Sequence, residues 1–167
     1  MSEWHELAHF LYGRGFWYAD PLREIWGLTE EELFWVPDPN SLPILWHVGH
    51  VAHRERFHVG VFLQGLPGSI MPERYEVFGD TWCTPEELRA SIDSVEAVLQ
   101  WVREVRDESH TFIASVDGTE WHRPLSTTDD GLTLAHWLFL TVSHGAMHLG
   151  RIQLLRNLLE GKHDNAC

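Results

Sequence analysis

The 167-residue sequence predicts an all-α fold, an antiparallel four-helix bundle with a long crossover connection between its second and third helices. Three observations lead there: apolar residues recur at steps of three and four over long stretches, helix-start and helix-stop signals separate those stretches, and two-residue alternation is nearly absent. No internal repeat or interdomain linker interrupts the pattern, so residues 1–167 read as a single domain. A domain near this length buries roughly 70% of the surface its unfolded chain exposes, enough for a core without cross-links.

The first helical region covers residues 3–28 and is interrupted by Gly13, Gly15 and the Asp20-Pro21 step, with Asp20 placed to cap a segment that opens at Pro21. It reads as two pieces or one kinked rod. Thr29 and Glu32 have capping-box spacing ahead of the Pro37-Asp38-Pro39-Asn40 break. Ser41 is expected to cap the second helix, with Pro43 in its first turn and Gly65 as its stop. Residues 65–83, punctuated by Gly and Pro, form the long connection.

Thr84-Pro85-Glu86-Glu87 is the clearest helix start in the chain. The third helix runs from it to before Gly118, with an apolar stripe of Leu88, Ile92, Val95, Leu99, Val102 and Val105. After a loop at 120–131, Thr133 opens the fourth helix. There Leu134, Leu138, Thr141, Gly145, His148, Ile152, Leu155 and Leu159 fall on a 4-3 alternation, the seam of a helix packed nearly parallel to its neighbours.

Charge and composition exclude several classes of partner. With 25 acidic against 12 basic side chains the formal charge is −13, so a polyanion such as nucleic acid would be repelled. No run of about 18 apolar residues offers a membrane span, and the acidic N-terminus lacks the pattern of a secretory leader. The expectation is a cytoplasmic protein. Cys83 and Cys167 suggest neither a disulfide framework nor a zinc knuckle.

Twelve histidines are the compositional oddity. Chance alone gives roughly one H-x3-H pair at this content, so context must choose between His5/His9 and His144/His148. His148 lies on the seam, and His144 is one turn earlier, about 40° around the axis and about 6 Å along it. Both rings can reach one point, with Gly145 removing bulk beside them. His5 and His9 have no clear inward register.

A third ligand should come from WHVGHVAHRERFHVGVF, where His50 shares a stripe with Trp46, Phe57 and Val61. His47 and His53, about 60° off that stripe in opposite senses, are read as supporting partners or surface residues. His58, His110, His122 and His163 are expected to be solvated, and His136 to be a lining or core residue. Neutral imidazoles at His50, His144 and His148 would hold a divalent metal, Zn, Ni or Fe, with a coordination position left open for a small molecule. No Ser-His-Asp order or phosphate loop competes with this reading.

At these residues the sequence resembles the DinB-like, or YfiT-like, family of metal-binding four-helix bundles. LPILWHVGHVAHRERF is similar to the family's W-H-x-x-H pattern in helix two, and SHGAMHLGRIQLLRNLLEG to its H-x3-H-x-G-Q-I pattern in helix four. The likeness extends weakly over residues 10–161. It implies a metal held by His50, His144 and His148, a handed crossover in the bundle and a homodimer.

The activities it implies are thiol-dependent transfer or isomerisation with mycothiol or bacillithiol, or the role of the N-terminal domain in the iron enzymes of ergothioneine biosynthesis. Those iron enzymes carry a further C-terminal domain, whereas this sequence stops at Cys167. Arg151 stands where the family pattern has Gln. A small-molecule thiol is the favoured partner, and a non-catalytic, metal-stabilised bundle is the alternative.

Overall fold

The computed structural model describes residue 6 and residues 20–79, 82–128 and 130–161. Of the helical region expected over residues 3–28, residues 3–5 and 7–19, with His5 and His9, lie outside the described residues, as do His163 and Cys167. Among the described residues the protein is all-α, with no strand beyond an isolated bridge between Pro124 and Thr133. Two short helices, α1 (Pro21–Glu24) and α2 (Glu30–Phe34), precede about four main ones: α3 (Ile44–Glu55, continuing as a π-helix over Arg56–Leu63), α4 (Pro85–Ser91), α5 (Val95–Ser115) and α6 (Leu134–Leu159).

Most helix starts follow the capping rules. Asp20 accepts from the Leu22 amide, and Thr29 and Glu32 form a reciprocal box, as do Thr84 and Glu87. The start of α3 does not. Ser41 gives its hydroxyl proton to Asp38 (2.6 Å) instead of capping, and the helix opens at Ile44 behind Pro43. Gly65, at φ 72°, closes the π-helical segment in the conformation that glycine adopts without strain.

The third helical region is broken where one continuous rod was expected. Ile92 leaves α4 in an extended conformation, and Ser94 caps α5 by accepting from Ala97 N. A new start restarts the helical register. The buried stripe of α5 is therefore Val98, Trp101, Val102, Val105, Ser109 and Ile113, while Ile92, Val95 and Leu99 stay half-buried. The apolar spacing of α4 and α5 concealed this break, because Leu88 and Val102 are buried on either side of it.

The core lies around α3. Leu45, Val48, Phe78, Val98, Val102 and Ile152 belong to one buried cluster, and Val59, Leu63, Ile113, Leu134 and Leu138 to a second. On α6 the predicted seam holds: Leu134, Leu138, Thr141, His148, Ile152 and Leu155 are buried. Between Leu63 and Pro85 the chain makes two 3-10 turns, Gly68–Ile70 and Glu73–Phe78. The second packs on α3 and puts the Phe78 ring, fully buried, directly over Gly49. No helix among the described residues is long and apolar enough to cross a membrane.

Candidate metal centre

His50 projects from the middle of α3 and His144 and His148 from one face of α6, and the structure brings the three together. One ring nitrogen from each lies within 4.8 Å of the other two. His50 Nε2 and His144 Nε2 are 3.2 Å apart. Two nitrogens at roughly 2.0–2.1 Å from one ion stand this far apart for an angle between a right angle and a tetrahedral one. The ring centroids of His148 lie 4.5 Å from His50 and 4.6 Å from His144.

The proton on each ring decides whether its lone pair is available. His50 Nδ1–H donates to the carbonyls of Phe78 (2.7 Å) and Gly79 (3.1 Å), which can only accept. Nε2 of neutral His50 therefore carries a lone pair aimed at His144. His148 Nδ1 is 3.0 Å from His47 Nδ1, so one proton is shared between them. With that proton on His148, its Nε2 is free for the cluster. Fixing the remote nitrogen of a ligating imidazole in this way orients the ring and raises its basicity.

Packing supplies the rest of the frame. Trp46 stacks on His50 (4.4 Å between centroids, 15°) and anchors its own Nε1–H on Val77 O. A Cβ on Gly49 would overlap the Phe78 ring, so glycine is what lets the Glu73–Phe78 turn sit close enough for its carbonyl to meet His50. Gly145 matters less than expected: a Cβ there would make only an ordinary 3.8 Å contact with Val51.

Burial keeps His47, His50 and His148 neutral. It pushes His50 down to about 4, opposed by its bonds to Phe78 and Gly79. Burial, then the charges of Arg151 and His50, takes His47 to about 4. His148 goes to about 3 through burial and the neighbouring His50, His144 and His47. Neutral imidazoles are the form that binds metal. The cluster is thus consistent with a divalent ion, held by nitrogen donors whose other ring nitrogens are already occupied at His50 and His148.

Other histidines divide differently from the sequence expectation. His47 is a supporting partner, as one of its two readings had it, and its bond to His148 shows how. His53 is buried too, 3.5 Å from a Glu76 carboxylate oxygen. His136 is not a core residue. It is exposed and occupies the third position of the Thr133 capping box, its Nδ1 accepting from the Thr133 amide at 3.1 Å. His122 is exposed as expected, and His110 is half-buried.

His58 is not a solvated residue. Its ring packs against Phe62 and Trp137, its Nδ1 is 3.1 Å from Thr141 Oγ1, and burial lowers it to about 4. What the sequence did offer was Thr141 on the α6 seam, a buried hydroxyl in need of partners.

A family model described as the DinB superfamily matches residues 20–152, a span that contains all three histidines. No curated protein matches the chain.

Proposed function

This chain belongs to the DinB superfamily, and from that premise we propose that it is a metal-dependent enzyme holding Zn, Ni or Fe through His50, His144 and His148. Its favoured chemistry is transfer or hydrolysis with a low-molecular-weight thiol as substrate. A bound divalent ion would lower the pKa of a water or thiol in the open position. The chain's own residues do the rest: the Phe78 and Gly79 carbonyls hold the His50 ring, His47 holds His148, and Trp46 and Phe78 exclude water behind the donors.

The observation that carries this reading is the direction of the protons. At His50 the ring N–H is committed away from the cluster, so its Nε2 lone pair faces His144, 3.2 Å away. An antiparallel bundle with a long second crossover would present the site. A homodimer is supported by Leu140, Met147 and Leu154, exposed at seven-residue spacing along α6.

Elemental analysis of the purified protein, followed by thiol-transfer assays with metal removed and restored, tests the proposal. His50→Ala and His148→Ala should each lose both the metal and the activity. Loss of metal with activity intact would end the enzyme reading. The burial of His50 and His148, 4% and 3% exposed, favours a second reading in which the ion only ties α3 to α6. Metal-dependent thermal stability without any thiol chemistry would select it.

A further inference from the structure

Position 58 is eight residues beyond His50, and a continued α-helix would present it about 80° around the axis from His50. The chain instead winds as a π-helix from Arg56, turning fewer degrees per residue, and His58 meets α6 at Thr141. Segments of this kind occur often at functional sites. Thr141 Oγ1–H donates to Trp137 O at 2.8 Å, so toward His58 the hydroxyl can only accept. The ring proton of His58 is thereby held on Nδ1. Its Nε2 keeps a lone pair and has no hydrogen-bond partner among the described residues.

The place of this lone pair gives it meaning. Of the three clustered histidines, His50 and His148 are buried and His144 is half-buried, so solvent reaches the cluster from the His144 side. His58, also half-buried, is next to that residue: the rings are 6.3 Å apart at 69°. His58 is not one of the mutually close donors. It packs beside His144, the half-buried member of the three.

We propose that His58 is a specificity-determining residue of the three-histidine site, its Nε2 accepting a hydrogen bond from the molecule in the open position. It selects occupants that keep a proton on the atom facing the donors, such as hydrosulfide, over occupants of equal charge that have none, such as azide. The inference rests on the reading of the cluster as a metal site with an open position.

Cobalt-loaded protein provides the test, with hydrosulfide and azide titrated separately against the cobalt absorption bands. His58→Phe should weaken hydrosulfide about tenfold, the worth of one hydrogen bond, and leave azide unchanged. His58→Gln, which retains an acceptor, should keep most of the preference. Thr141→Val, which frees the His58 ring without touching it, should lose part of it, and these two variants carry the test if His58→Phe does not fold. Failure of the parent protein to take up cobalt overturns the metal reading and this inference together. Cobalt uptake with an unchanged hydrosulfide-to-azide ratio in every variant, or an equal loss of both ligands, overturns the inference alone.

Discussion

On the side of α3 that packs against α5, the Glu55 carboxylate, 2% exposed, receives Arg106 at 2.9 Å and a further hydrogen bond from Ser109. On the side that packs against α6, His47 and His50 face His148 and His144. Both sides bury polar groups, but the first answers a buried charge with its opposite, and the second sets neutral imidazoles against one another. Burial raises the pKa of Glu55 and the Arg106 charge works against that, so the buried charge meets its opposite within the protein. The imidazole side gathers ring nitrogens of His50, His144 and His148 within 4.8 Å of one another. One side is a structural tie, and the other is a histidine cluster consistent with a metal ion.

Acid should separate the two most strongly. In metal-free protein His47, His50 and His148 lie at about 4, about 4 and about 3, against an ordinary 6.5, so the unfolded chain binds more protons than the folded one. The stability is full above pH 6.5 and is lost as pH falls through 4. Urea midpoints taken across that range in chelator should fall steeply, with the slope reduced in a His47→Phe background. A flat profile would mean that these rings are protonated or solvated in the folded protein.

Arg106→Met addresses the other side. It strands the Glu55 carboxylate and should cost about 3–5 kcal/mol in urea unfolding, while the double change with Glu55→Leu should recover most of that loss. Metal content should be unaffected by either. If Arg106→Met costs less than about 1 kcal/mol, the pair is not the tie described.

His47→Phe gives the smallest expected effect and the most local one. Removing the acceptor for His148 Nδ1–H should lower metal affinity about 10–100-fold, measured by competition with a chelator, with urea stability of the metal-free protein at neutral pH little changed. Unaltered affinity would remove His47 from the site.

The donors themselves were legible because a 4-3 seam and a W-H-x-x-H stripe are properties of side-chain order. Thr84 and Thr133 were legible as caps for the same reason. What escaped was set by backbone. The carbonyls of Phe78 and Gly79 belong to a connection whose path no periodicity encodes, and the π-winding that turns His58 toward Thr141 leaves an apolar pattern indistinguishable from an α-helix. The break at Ser94 lay in a weaker cap signal beneath a plausible stripe, and His136 took a capping role usual for Glu or Gln.

Gly49 carries no functional group, yet it governs how near the roof over the site can come. Any side chain there would raise that roof, and the His50 ring would lose the brace that sets its angle. Tolerance of the site to change is therefore narrowest at a residue that donates nothing to it. A natural relative with a bulkier residue at this place would need a different way of steadying its helix-two ligand.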